Sequence, residues 1–274
     1  MPSLDDFMDA LDPDTGKFPL EDLTLTTFDM NVPVAAVKLL VDKQTNRYVN
    51  LCTTEPKDGE PDLRKNHQKA KKRTCGYTTL GDPAFEDKHI YGMIGLTITW
   101  GLTKKHRMRK HWSKTAEDNY PQVRECMPRD LSELLYCRFL HCSDGNAPPK
   151  KLPTGEDNPE YDSKHHIRLL EEILNAAWAE NVEVNQWLSY DEQMVKCVSK
   201  FAAAIRRYMK DKPIPHGIKV WALCDIKGYC LISSVDGGIQ GDPKLRRWFN
   251  CPLGRTTRQV LWVVLGASPL LSAK

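Results

Sequence analysis

The apolar pattern is weak up to about Asp87, takes helical spacing from Lys88, and changes to strand spacing after Val184. The stretch Val32 to Val41 predicts one short helix. Between Lys88 and Trp112, Ile90, Met93, Ile94, Ile98 and Leu102 fall on one face and predict an amphipathic helix. Gly92, Gly95 and Gly101 lower its propensity, and in a packed helix they would let a neighbour approach closely. Arg129 to His141 predicts another helix through Leu131, Leu134, Leu135, Phe139 and Leu140, with Asp130 or Ser132 as its start signal. A Pro/Gly-rich loop spans Ala147 to Pro159. Lys164 to Asn181 then carries the strongest stripe: Ile167, Leu170, Ile173, Leu174, Ala177 and Trp178.

After Val184 the period shortens. Val184 to Met194 reads as a strand ending in acids, and Phe201 to Lys210 as a short basic helix or turn, broken at Lys212-Pro213. Gly217 to Asp225 is a buried strand, Lys227-Gly228 a turn, and Tyr229 to Val235 a returning strand, which together make a hairpin. Thr256 to Gly266 reads as a buried helix, or alternatively as a strand.

Composition is that of a globular chain of one or two domains, 41% apolar and 27% charged over 274 residues. A net charge of +3 does not identify a partner, but the positions of the charges narrow the choice. Lys57 to Arg73 is a polar run ending in RKNHQKAKKR and reads as a mobile basic linker, either a nuclear-import signal, a phosphate-binding arm or a solvated loop. A second run, KKHRMRKHWSK, covers Lys104 to Lys114. Candidate nucleic-acid contacts are therefore Lys69, Lys71, Lys72, Arg73, Lys104, Lys105, Arg107, Arg109 and Lys110, with Arg206, Arg207 and Lys212 further on. Trp112 either stacks on a base or caps a core.

The acidic start MPSLDDFMDALDPD lacks the basic and apolar regions of a signal peptide, so an intracellular chain is expected. The apolar stretch Val260 to Leu271 is interrupted by Gly266, Ser268 and Pro269 and falls short of the roughly 20 residues that span a bilayer. Nine cysteines, an odd number with no C-x-x-C pair, read as reduced thiols and not as a zinc site. His165 and His166 have nothing nearby to complete a metal set.

One motif series changes the picture. Ser189-Tyr190-Asp191-Glu192 is followed by Arg206-Arg207-Tyr208, Lys212-Pro213 and Gly217-Ile218-Lys219-Val220-Trp221. Upstream, in order, stand Thr45-Asn46-Arg47-Tyr48, the glycine-marked segment Tyr91 to Gly101, Trp112-Ser113, and Phe139-Leu140-His141 with Ser143-Asp144. The series resembles the piggyBac transposase family, whose pattern runs S-x-D-E, Y-x-x-K-P, then G-x-K-x-W. It departs from that pattern where Ser199-Lys200 stands for a glycine-arginine pair and Lys210 for a proline.

The resemblance implies a mixed α/β chain: a helical N-terminal region followed by an incomplete ribonuclease-H-like fold. It also implies three parts. Residues 1–87 are mostly irregular, 88–183 form a helical dimerisation and DNA-binding domain, and 184–274 begin the catalytic domain. Asp191 takes the place of the family's first metal-binding, catalytic aspartate.

Strand cleavage and transfer of this kind use two divalent ions about 3.5–4 Å apart, magnesium in the intact family, and these need several carboxylates. The family's second aspartate lies in a D-N-x-F motif, and none follows Val264. Glu192 points to the opposite face of the strand from Asp191. Asp225 and Asp236 read as turn residues. The expectation is therefore a nuclear, DNA-binding remnant of a cut-and-paste transposase, a possible homodimer, with no cofactor expected for this chain. The alternatives left open are an active transposase completed by carboxylates of another chain and a non-functional fragment.

Overall fold

The computed structural model describes residues 32–56, 58, 62–64, 85–103, 105, 107–115, 120–143, 145–181, 187–199, 202–238 and 241–243, with 253, 254, 257, 260 and 261. The candidates Lys69, Lys71, Lys72, Arg73 and Lys104 lie outside the described residues, as does most of Thr256 to Gly266. The chain divides into two compact units, Ala35–Asp144 and Gly145–Lys274 together with Met1–Val34. Among the described residues no helix is long and apolar enough to cross a membrane.

The first unit is helical. α1 (Val34–Lys38) continues through a wide turn, Leu39–Thr45, into α2 (Asn46–Thr53). The helix expected from Val32 to Val41 thus runs on to Thr53. α3 (Asp87–Thr103) buries Ile90, Met93 and Leu96, close to the predicted face, and leaves Ile98 and Leu102 exposed. A short 3-10 turn, Met108–Trp112, then leads to α4 (Pro121–Cys126). α5 (Arg129–Leu134) starts directly after Pro128, whose ring suits a helix entry, and widens into Leu135–Phe139.

The segments are tied by groups far apart in sequence. The Asn46 side-chain amide donates to the Phe85 carbonyl at 2.9 Å and accepts from the Phe85 N–H at 3.2 Å. Phe85 and Phe139 are both buried with ring centroids 6.1 Å apart, and Tyr48 stacks on His141 at 3.9 Å. Of the three helix glycines, Gly92 has the close neighbour. A Cβ there would stand 3.2 Å from Cys126 Sγ and from Met127 Cε, whereas Gly95 and Gly101 face open space.

The second unit is a four-stranded antiparallel sheet with one helix. α6 (His165–Glu180) precedes β1 (Leu188–Lys196), β2 (Arg206–Tyr208), β3 (His216–Asp225) and β4 (Cys230–Val235). β1 pairs along its whole length with β3, from Leu188 opposite Asp225 to Lys196 opposite Gly217. On the other side of β3, β4 covers Val220 to Cys224 and β2 covers His216 to Ile218.

Within Phe201 to Lys210 the expected turn is present at 203–205, but Arg206–Tyr208 is a strand and not part of a basic helix or turn. β3 extends past the end of β4, and the backbone groups of Gly217 and Ile218 left over on that side are paired by this short segment.

The hairpin is as expected. Its turn is held by Gly228 N–H to Asp225 O at 3.0 Å, with Gly228 at φ +82°. Trp221, Leu223, Leu231 and Ile232 form the core, with Tyr190 stacked on Trp221 at 5.2 Å and 5°.

α6 protects the outer edge of β4 with side chains. Asn175 donates to Ser233 O at 2.8 Å and accepts from Ser233 N–H at 2.9 Å, and Glu171 accepts from Val235 N–H at 2.9 Å. The geometry matches because four helical residues rise about 6 Å while two strand residues advance about 6.8 Å. An edge that would otherwise template further pairing is thereby closed.

Candidate functional site

Asp191 lies near the middle of β1, opposite Ala222 of β3, and is exposed. Its Oδ1 accepts from the Glu192 N–H at 2.7 Å. Strand alternation puts Tyr190, Glu192 and Met194 on one face with Lys219, Trp221 and Leu223, and Asp191 and Gln193 on the other. The expected separation of Glu192 from Asp191 therefore holds. Glu192 meets Lys212 at 3.3 Å and Lys219 at 3.6 Å, and Lys219 lies 3.9 Å from the Trp221 ring centre. Burial, then the negative charges of Asp236 and Glu192, push the Tyr190 phenol well above its ordinary range.

Asp225 and Asp236 are turn residues, as read from the sequence, and both are buried. Asp225 Oδ1 accepts from Lys227 N–H at 2.9 Å and Tyr229 N–H at 2.8 Å. Asp236 Oδ1 accepts from Gly238 N–H at 2.8 Å.

Hard oxygen ligands suit magnesium, and the exposed Asp191 carboxylate offers oxygens of that kind. Among the described residues, however, no three His, Cys, Asp or Glu side chains cluster as a metal set. The described residues therefore do not by themselves fit a two-ion site.

The structure separates the described basic candidates. Lys105 lies 4.3 Å from the Tyr120 ring centre, Arg107 is exposed, and Arg109 pairs with Glu133 at 2.7 Å. Lys110 is exposed in the 3-10 turn. Trp112 caps a core: its Nε1 donates to Met127 O at 2.8 Å and its ring lies 6.1 Å from Trp100. In the sheet unit Arg206 donates to Val198 O at 3.2 Å, and Arg207 to Ala204 O at 3.1 Å and Asp236 O at 2.9 Å. Arg206 thus ties Val198 to β2, and Arg207 ties β2 to the residue that follows β4.

One cluster was missed in the sequence. Lys164, fully buried at the start of α6, reaches Glu171 at 2.7 Å, Ser234 at 3.0 Å and Asp242 at 3.3 Å. Arg168 bridges Asp162 and Asp242, the latter at 2.9 Å. Burial disfavours the Arg168 charge, but hydrogen bonds and charge from the two aspartates outweigh it and hold its pKa above the ordinary value. Burial likewise disfavours the Asp162 charge, and Arg168 with the Lys164 N–H holds that carboxyl below its usual value. The only signal in the sequence was the i, i+4 and i+7 spacing of Lys164, Arg168 and Glu171, which reads equally as a solvated face.

A comparison with curated proteins gives no match. Among solved structures, the cryo-EM structure of a piggyBac transposase synaptic complex with hairpin DNA is similar, with a TM-score of 0.54 and 20% identity over 78% of this chain. The chain covers 38% of that transposase chain, and at this identity the likeness speaks for the fold. The mixed α/β, ribonuclease-H-like architecture expected from the motifs is the one it carries. A family model described as Transposase IS4 matches residues 64–244. That span takes in α3, α6, the strand carrying Asp191 and the whole hairpin, and with it the chain belongs to the Transposase IS4 family, the DDE-type transposases that include the piggyBac type.

Proposed function

We propose that this chain is the DNA-binding portion of a piggyBac-type cut-and-paste transposase, that Asp191 is its first metal-binding carboxylate, and that by itself it binds duplex DNA without cutting it. The observation that carries this reading is the placement of Asp191: exposed at the middle of a strand paired along its whole length, with Glu192 committed to Lys212 and Lys219 on the opposite face. A rigid strand is the support a metal-binding carboxylate needs. The further carboxylates of a two-ion magnesium site have to come from outside the described residues or from another chain.

Binding rests on phosphate contacts from Lys105, Arg107 and Lys110 in the first unit and from the run holding Lys69, Lys71, Lys72 and Arg73. Nuclear localisation and homodimerisation belong to the same reading. The similar solved transposase is captured in a synaptic complex with hairpin DNA, which supports DNA as the partner class.

The test is duplex binding by the purified chain across a salt series, with nicking in magnesium assayed on the same samples. Affinity should fall as salt rises, with a log–log slope of about −0.9 for each phosphate neutralised, and no nicked product should form. Nicking that disappears in Asp191→Ala would show that the missing carboxylates are supplied, overturning the binding-only part. A folded chain with no salt-dependent affinity would overturn the DNA-binding part.

A further inference from the structure

Cys224 and Cys230 are register partners across the β3–β4 hairpin. Both are free thiols, half buried. Directly opposed residues of an antiparallel pair have Cα atoms about 4.5–5.5 Å apart, within the roughly 4.4–6.8 Å that a disulfide spans. The neighbouring Cys224 thiol is among the influences on the Cys230 thiol.

The backbone on both sides is fixed. Asp225 N–H donates to Tyr229 O at 2.9 Å, Gly228 N–H closes the turn, and the Asp225 carboxylate accepts from Lys227 and Tyr229. On the β4 side a bulge lets Cys224 face Cys230, whereas Leu223 faces Ile232. Among the described residues no other two cysteines are partners in the sheet register.

We propose that Cys224 and Cys230 are a redox-active dithiol that closes to a cross-strand disulfide on exchange with a small-molecule disulfide. The exchange runs in two steps. One cysteine thiolate attacks the oxidant, whose S–S bond breaks and releases one thiolate, leaving a mixed disulfide on the protein. The second cysteine thiolate attacks the protein-side sulfur of that bond, expels the other half of the oxidant, and forms the Cys224–Cys230 bond. The two cysteines lose two electrons and two protons, and both halves of the oxidant leave as thiols.

The site bears on the catalytic face. Cys224 stands opposite Ser189 of β1, two residues along β3 from Ala222, the partner of Asp191. Closure therefore staples the hairpin on the side of the sheet that carries Asp191. It also proceeds faster in mild base, because burial, and then the neighbouring Cys224, push the Cys230 thiol up to about 11.

Trypsin cuts after Lys219, Lys227 and Lys244, so the two sulfurs fall in separate peptides, Val220–Lys227 and Gly228–Lys244. The full reduced chain is equilibrated with glutathione disulfide at graded ratios, quenched in acid, alkylated and digested without reductant. The expected result is recovery of these two peptides joined, separable by reductant, and formed at lower oxidant ratio than any other cysteine pair. Closure should be faster at pH 8.5 than at pH 7. Cys224→Ser should leave Cys230 as a glutathione adduct and abolish the joined species, while Cys137→Ser should leave it unchanged. If the native chain keeps its β3 amide protection yet yields the two peptides only as separate alkylated or glutathione-bearing species at every ratio, the dithiol assignment is wrong.

Discussion

Replacing Lys164 by methionine removes one buried charge while keeping a long unbranched side chain. In the native chain its ammonium lies among Glu171, Ser234 and Asp242, with no exposed surface. Without it, Glu171 and Asp242 remain beneath the helix start with one cation fewer. Breaking a buried pair from one side costs about 3–5 kcal/mol, because the orphaned charge loses its partner and cannot regain water. Arg168 still holds Asp242, and Val235 N–H still donates to Glu171, so the lower end applies, about 3 kcal/mol. Because the chain has two units, a global unfolding curve would mix their responses. Hydrogen exchange read on peptides spanning β3 and β4 reports the sheet unit alone. A loss of about 3 kcal/mol speeds amide exchange there by about 150-fold. A surface control, Lys151→Met, breaks the exposed pair with Asp157 at 2.9 Å and should change exchange by less than about threefold. If Lys164→Met also stays within threefold, the buried cluster does not hold α6 to the sheet, and the energetic reading of the network is refuted.

Two further outcomes follow from single positions. Gly217→Ala should weaken β1–β3 pairing, since a Cβ there would overlap the Val195 carbonyl oxygen and lie 3.0 Å from its carbon. Backbone has to move, costing about 1–3 kcal/mol, and β1 amides should lose protection before those of β4; unchanged β1 protection would contradict this. Asp162 has a folded-state pKa below its unfolded value, so its contribution to stability is complete above about pH 4 and is lost as pH falls through the folded value. An acid titration of sheet stability should therefore flatten in Asp162→Asn, and an unaltered acid limb would show that the Arg168 contact contributes nothing.

Much of the architecture was legible because it is local. The stripe from Ile167 to Trp178 reads as a helix burying one face, and the short apolar run in GIKVWALCD with its Lys227-Gly228 turn reads as a buried hairpin arm. Asp191 and Glu192 follow one another on a strand, so their separation onto opposite faces came directly from the period of two. β2 was misread because FAAAIRRYMK has good helix formers and lacks a strand's alternation. Its conformation is set by the unpaired edge of β3, which no local window contains.

The sequence by itself determined the main helices, the β3–β4 hairpin, the family motifs and the strand position of Asp191, because helical and strand periods, turn chemistry and motif spacing act over a few residues. Only the tertiary structure decided that α6 lies along β4, that Lys164 is buried and Arg168 half-buried among Glu171, Asp162 and Asp242, and that Cys224 faces Cys230. Those relations join residues up to 78 positions apart, as in Lys164 with Asp242, or depend on a bulge that shifts the register. A charged side chain on a helix looks the same in sequence whether water or a buried carboxylate meets it, and burial is a property of the packed whole.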